Sequence, residues 1–468
     1  MRTTALLLVS SALLLPRSAR AENAPSGDRF ELADVFQLEW ASDPRISPDG
    51  RRVVFVRNGF DVMTDRTIGN LWVMDSDGTN GRPLTSGKDG ATGPRWSPDG
   101  GRLLYVARSK DSHPIVVRWM DTGQQAEITR VERPPRSAVW SPDGKWIAFR
   151  MFVPDESKPL AEMPEKPEGA DWGPPIKYID QMRYRADGEG YLERGRTHLF
   201  VVPADGGTPR QLTSGDWDDG PPSWTPDGGA LLFSSNRHDE REYDPADSEI
   251  WKVEVADGTV RALTSRHGPD ADPVPSPDGS FIAYLGYDER YVGYQITRLY
   301  VMKSDGSDAR VVTPRFDRDV QDPLWSGDGR GLYFLYDEAG DTKIGFVPIG
   351  EAPGVEVEIL AGSVGGLSLD RPYSGGQFSM SRDGTAAFTH TSFDHPADVA
   401  VARRGEVSRV LTRLNDDLLG HKKLGGVEEI RYPSSFDGRE IQGWIARPPD
   451  FDPRKRYPLL LEIHGGPY

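Results

Sequence analysis

Ser97-Pro98-Asp99-Gly100, followed by the apolar run Leu103-Leu104-Tyr105-Val106, decides the fold, because the same phrase returns along most of the chain. It stands at Ser47-Pro48-Asp49-Gly50, Ser141-Pro142-Asp143-Gly144, Thr225-Pro226-Asp227-Gly228 and Ser276-Pro277-Asp278-Gly279. Looser copies are Ser326-Gly327-Asp328-Gly329 and Ser381-Arg382-Asp383-Gly384. The seven starts are separated by 50, 44, 84, 51, 50 and 55 residues. Proline presets the first central turn position, aspartate holds a turn through its side chain, and glycine accepts positive φ. Each turn leads into a β-forming run: Val53 to Val56, Leu103 to Val106, Trp146 to Phe149, Leu231 to Phe233, Phe281 to Tyr284, Leu332 to Leu335 and Ala386 to Phe388.

A second strand with its own turn follows in most repeats, as in Asn70 to Met74 before Asp77-Gly78 and His198 to Val202 before Asp205-Gly206. Leu84-Thr85, Leu212-Thr213, Leu263-Thr264, Val312-Thr313 and Leu411-Thr412 close several units at similar offsets. Strands at this density with a period near fifty residues suit one four-stranded blade per repeat. The expected fold is mainly β, a seven-bladed propeller over residues 22–420 including an N-terminal lead-in. Trp96, Trp140, Trp224 and Trp325 stand directly before their turns, a matched position that points to packing between blades.

The 84-residue interval holds an insertion, 151–196. Pro154 to Pro175 is rich in proline, glutamate and lysine and cannot build its own core. Tyr178, Tyr184, Tyr191, Arg183 and Arg185 follow it. The segment is either an exposed decoration or a loop reaching toward a substrate channel, offering arginine to a carboxylate and aromatic faces to side chains.

Residues 1–21 have the charge, apolar core and Ala19-Arg20-Ala21 cleavage site of a secretory signal, so cleavage is expected after Ala21 and a periplasmic or secreted location follows. No other stretch approaches membrane-spanning length, so no membrane span is expected. There is no cysteine, and no disulfide can staple the fold. The net charge of -16 argues against nucleic acid as a partner. The histidines lack zinc-ligand spacing, and Asp75-Ser76-Asp77-Gly78 lacks the other ligands of a calcium loop, so neither a metal nor another cofactor is expected. Asp239-Glu240-Arg241-Glu242 reads as a solvated loop; Glu240 or Glu242 could meet a peptide's free amino terminus if that loop faces the cavity.

From about Val427 the pattern changes. Val427 to Tyr432 and Ile441 to Ala446 flank Ser435-Phe436-Asp437-Gly438 as a hairpin, and Tyr457-Pro458 leads into a strand expected at Leu459 to Ile463 before His464-Gly465-Gly466-Pro467. An apolar strand running into consecutive glycines can aim backbone N–H groups at a developing oxyanion. Residues 421–468 are therefore expected to open an α/β-hydrolase domain.

Taken together, the chain resembles the prolyl oligopeptidase family, in particular its acylaminoacyl-peptidase and bacterial dipeptidyl-peptidase branch. The resemblance rests on the repeated turns, the stretch from Arg183-Tyr184-Arg185 to Gly190-Tyr191 before His198-Leu199-Phe200, the Phe436-Asp437-Gly438 hairpin, and Tyr457 through Tyr468. It covers essentially all of the chain after the signal, although the repeats alone also fit TolB-like propellers. The resemblance implies a serine exopeptidase or oligopeptidase acting on short peptides through a Ser-Asp-His triad, with the propeller restricting access. It places one oxyanion donor on the N–H of Gly466 and leaves His464 a structural residue of that loop. The Gly-x-Ser-x-Gly-Gly elbow of the family does not occur in the 468 residues, so the sequence reads as truncated before its nucleophile and inactive by itself. The alternative is a noncatalytic periplasmic propeller that binds or scaffolds. A homo-oligomer is left open.

Overall fold

The computed structural model describes residues 27–108, 112–155, 164–173, 177–350, 356–369 and 375–463. The expected signal segment, Gly466 and His464 lie outside these residues. The architecture is mainly β and multi-bladed, propeller-like. Five four-stranded antiparallel sheets and one eight-stranded sheet hold seven consecutive four-stranded meanders. In unit 1 the strands are Trp40–Ile46, Arg52–Asp61, Arg66–Asp75 and Arg82–Pro83. Units 6 and 7 share the larger sheet through one pairing, Val364 with His390. Among the described residues, helix is confined to a 3-10 segment, Leu32–Gln37, and one α turn, Asp416–Leu419.

The repeated phrase works as a latch. The hydroxyls of Ser47, Ser141, Thr225, Ser276 and Ser326 each donate to the aspartate two residues on at 2.6 Å, and Ser97 and Ser381 make the same bond. The same oxygens accept the N–H of Arg52, Arg102, Trp146, Ala230, Phe281, Gly331 and Thr385, where the second strand starts. The glycines adopt φ between 69° and 83°, a region that a β-carbon disfavours. Hydrogen bonding from the hydroxyl is the largest cause holding the carboxyls of Asp49, Asp99, Asp143, Asp227, Asp278 and Asp328 below their ordinary range. At Asp383 burial opposes the shift, but the bonds from Ser381 and Thr385 outweigh it.

The Leu-Thr pairs have a matching role at the outer strand. Thr85, Thr213, Thr264, Thr313 and Thr412 each accept the N–H of a third-strand residue: Leu71, Leu199, Ile250, Leu299 and Val399. A short outer strand with two or three ladder pairs is thereby tied to its neighbour.

Seven apolar clusters hold the units together, and each draws residues from two consecutive units. Fully buried Phe149, Phe233 and Phe334 belong to three of them; truncating such a ring to alanine costs about 3–5 kcal/mol. The tryptophans before the turns also bridge units. The indole N–H groups of Trp96, Trp140, Trp224 and Trp325 donate to the carbonyls of Arg45, Arg95, Val139 and Val274, on the first strand of an earlier unit. Arg52 and Arg102 stack on Trp96 and Trp140.

The ring closes without strand exchange. Ala41, Ile46, Val53 and Phe55 of unit 1 pack on Ala387, Val399 and Val401 of unit 7. Polar bonds then cross the seam: Trp40 to the Leu367 carbonyl, Asp43 N–H to Gln377, Ile46 N–H to Ser379, and Glu39 N–H to Asn415.

Among the described residues the C-terminal segment forms a two-stranded hairpin and no α/β-hydrolase domain. The expected hairpin is present, Val427–Pro433 pairing antiparallel with Glu440–Ala446. The expected strand at Leu459 to Ile463 is not formed: the segment has no ladder partner, and Leu459, Leu460, Leu461 and Ile463 are 78–94 % exposed. A strand of that composition needs sheet neighbours and cover on both faces, and the described residues supply neither. No described helix is long and apolar enough to cross a membrane.

Candidate functional site

In a four-stranded meander the first-to-second and third-to-fourth turns share one end, while the second-to-third connections and the crossovers between units share the other. The Asp-Gly turns occupy the first rim and are short. The second rim carries the long connections of units 3, 4 and 5: the insertion, residues 236–248 and residues 287–297. The C-terminal hairpin meets this rim too. Gln442 donates to the carbonyl of Ala339 at 3.1 Å, and the Trp444 ring lies so close to Gly340 that a β-carbon there would fall 2.3 Å from it. Both contacts fall on the second-to-third turn of unit 6.

The insertion is partly ordered by its own contacts. Arg185–Ala186 pairs with Gly190–Tyr191, and the Tyr184 and Tyr191 rings lie 6.1 Å apart. Lys177 Nζ sits 3.6 Å above the Tyr191 ring, and Arg194 grips both oxygens of Asp180. Lys177, Tyr178, Tyr184, Tyr191 and Arg194 border a cavity of about 260 Å³. Arg183 makes no ion pair among the described residues. The exposed aromatics Tyr178, Tyr184 and Tyr191 agree with a decorated surface loop, and they flank a concave surface on the rim.

Residues 236–248 dock beside it. The carboxylate of Glu242 accepts the N–H of Met182 at 3.1 Å, so the insertion already engages this acid, whereas Glu240 leaves its carboxylate exposed. Arg237 anchors the loop. Its guanidinium pairs with fully buried Asp219 at 2.8 Å and lies over Trp217, Phe233 and Trp251. His198 Nδ1 stands 3.4 Å from the other Asp219 oxygen.

Beyond the anchor, the connection 236–248, the start of the next strand and the crossover to unit 5 bring acids and imidazoles together. His238 Nε2 lies 3.4 Å from Asp247 Oδ2 and 3.7 Å from Glu249 Oε1. His267 Nδ1 lies 3.4 Å from Asp247 Oδ1 and 3.8 Å from Asp244 Oδ2. Burial raises the Glu249 carboxyl to about 7; Thr264 pulls it down and the neighbouring Asp270 adds to the rise. Asp270 is itself pushed up by burial despite its ion pair with Arg266.

A second charged group surrounds the axis. First strands of most neighbouring units touch one another, which makes them the innermost. Five of them bend at a residue of positive φ: Asp43, Gly93, Ser137, Asp272 and Asp322. Asp43 bonds Arg45 and, across the units, Arg95 at 2.8 Å, and the two guanidiniums hold its carboxyl below the usual range against the effect of burial. Asp272 is raised by burial and by Asp322, with Arg150 opposing. The sequence signal is an Asp-Pro or Gly-Pro pair four residues before the repeated turn, at Asp43-Pro44, Gly93-Pro94, Asp272-Pro273 and Asp322-Pro323. By contrast, no local spacing announces His238 with His267, since the crossover between units 4 and 5 joins them.

Comparison with known proteins agrees with this geometry. The model of the dipeptidyl peptidase IV (DPP IV) N-terminal region matches residues 189–283, from the insertion's hairpin through the second strand of unit 5. The chain is similar to the uncharacterized peptidase YuxL of Bacillus subtilis, 26 % identical over 453 residues, covering 93 % of this chain and 66 % of that protein. It is similar to dipeptidyl-peptidase 5 of Porphyromonas gingivalis, 23 % identical over 473 residues, covering 98 % of this chain and 66 % of the relative. Among solved structures, acylaminoacyl peptidase of Pyrococcus horikoshii superposes with a TM-score of 0.68 at 18 % identity, covering 88 % of this chain and 59 % of that one. The fold is thus similar to that of acylaminoacyl peptidase, and the sequence is similar to those of the two peptidases above. The chain spans 66 % of the length of both curated relatives, and its described residues contain no catalytic triad.

Proposed function

We propose that this chain is the seven-bladed propeller portion, with the first strands of the catalytic domain, of a serine exopeptidase or oligopeptidase that cleaves short peptides. One observation carries the reading: the C-terminal hairpin sits on the rim that also bears the insertion and the Glu240 loop. A catalytic domain continuing from the hairpin would cover that rim, and peptides would meet the aromatic and acidic loops on their way to the nucleophile. Exposed Glu240 is the better placed of the two loop acids for a peptide ammonium, since Glu242 is committed to Met182.

In the complete enzyme a serine would attack the peptide carbonyl, with histidine as base and aspartate orienting it. Gly466 N–H would supply one oxyanion donor, a contribution of roughly 3–4 kcal/mol to transition-state stabilisation. Residues 1–21 would direct export to the periplasm or beyond, and the mature N-terminus would be Glu22. The test uses the full coding region. A serine-hydrolase probe should label the full-length protein and leave the 468 residues unlabelled, and free-amino dipeptidyl arylamides should be cleaved faster than blocked ones if Glu240 binds the ammonium. Labelling of the 468 residues, or a full-length protein inert to probe and substrates, would sink the assignment and favour a binding propeller.

A further inference from the structure

We propose that His238, Asp247 and Glu249 form a binding site for one divalent cation of the zinc class, on the rim where units 4 and 5 meet. The inference does not depend on the peptidase reading.

The geometry is that of ligands around an absent centre. His238 Nε2 is 3.4 Å from Asp247 Oδ2 and 3.7 Å from Glu249 Oε1, and all three atoms lie within 4.8 Å of one another. Neither His238 contact is a hydrogen bond, and each is an ion pair only when the imidazole is protonated, so with a neutral imidazole the three atoms converge on a shared space. Zinc binds imidazole nitrogen and carboxylate oxygen at about 2.0–2.2 Å, which puts the edge of its tetrahedron at roughly 3.3–3.6 Å. The two separations from His238, 3.4 and 3.7 Å, lie at that edge, and the two carboxylate oxygens stand within 4.8 Å of each other.

The free atoms are also the right ones. Each carboxylate has one oxygen held by the protein and the other open toward His238. Thr264 Oγ1 donates to Glu249 Oε2, and Gly268 N–H donates to Asp247 Oδ1 at 2.9 Å. No described donor reaches Glu249 Oε1, although Glu249 is only 3 % exposed. That oxygen, with the imidazole nitrogen 3.7 Å away, is free to take a cation.

Outside the three ligands a supporting layer is in place. His267 Nδ1 stands against the held oxygen of Asp247, and Tyr291 OH donates to Asp244 at 3.0 Å beside it. Such outer groups orient ligating carboxylates and commonly change metal affinity tenfold or more. His238 is half exposed, which leaves a fourth position open to water. Zinc there would clip residues 236–248 to the start of the third strand of unit 4. Imidazole and two carboxylates suit zinc better than calcium or magnesium, which favour all-oxygen shells.

The test is calorimetric titration of ZnCl2 into the chelator-stripped 468-residue chain. One equivalent should bind, and His238→Ala, Asp247→Asn and Glu249→Gln should each weaken it at least tenfold. His238→Ala changes an exposed side chain, so a retained circular-dichroism melt in the metal-free state separates lost ligation from lost folding. His395 provides the control, because it too lies near two acids, Asp394 and Asp416, without a third ligand; His395→Gln should leave the binding unchanged. Absence of zinc binding, preference for calcium, undiminished affinity in folded His238→Ala, or loss of binding in His395→Gln would each overturn the proposal.

Discussion

Replacing Ser141 by alanine tests whether the repeated turns are energetic latches or merely tolerated loops. Ser141 is 1 % exposed; its hydroxyl donates to Asp143 at 2.6 Å and accepts the N–H of Trp146 at 2.9 Å. Alanine removes both bonds, while the N–H of Lys145 still reaches Asp143 at 3.0 Å. A neutral bond contributes about 1 kcal/mol and one to a charged group about 1.5–3. The Asp143 side chain is half exposed, so water replaces part of the lost bond, and the expected destabilisation is about 1.5–2.5 kcal/mol. With a urea m-value near 3 kcal/mol/M, the midpoint should fall by roughly 0.5–0.8 M at pH 7.

The loss should also depend on pH in a definite direction. The Asp143 carboxyl is held below its ordinary value chiefly by the Ser141 hydroxyl. A depressed folded-state value contributes stability that is present above the unfolded value of about 3.9 and is lost as pH falls through the folded one. The gap between native protein and Ser141→Ala should therefore be full above about pH 5 and shrink below about pH 3. A gap under 0.5 kcal/mol at pH 7, or one that stays constant down to pH 2.5, would refute the latch.

Trp140→Phe should cost about 1–2 kcal/mol, because it removes the bond to the Arg95 carbonyl and weakens the Arg102 stack, and urea unfolding measures it. Ser379→Ala leaves the buried N–H of Ile46 without its acceptor; a loss of about 1–3 kcal/mol should appear, with hydrogen exchange accelerating first in Trp40–Ile46 and Phe378–Met380. Trp444→Ala should release the hairpin from Gly340, seen as faster limited proteolysis between 433 and 440 with an unchanged melting temperature for the ring.

The blades were legible because the information is local. Proline, aspartate and glycine at fixed offsets define a turn whatever surrounds it, and the strands after Gly50, Gly100 and Gly144 start where the turn chemistry puts them. The tryptophans before the turns were legible for the same reason, since a repeated position implies a repeated contact. Leu459 to Ile463 failed because apolar composition states only that a segment seeks burial, and its partners are not among the described residues. The His238, Asp247 and Glu249 group escaped because its spacing, nine and then two residues, runs through an irregular connection into the start of a strand and follows no single helix or strand period, and His267 joins it only through the crossover to unit 5. Asp43, Asp272 and Asp322 fall between these cases: the Asp-Pro pairs were visible, but their convergence on the axis follows only from which strand is innermost.

Every unit is built from contiguous chain, and Glu39 and Asn415 exchange two hydrogen bonds where the first unit meets the last. The two ends of the ring are therefore neighbours in space. A short linker joining them, with new termini cut into another crossover such as residues 214–222, would give a circular permutant with its sheets unchanged. The covalent join would then sit at the interface that is now noncovalent, and the most easily parted boundary would move to wherever the new cut is made.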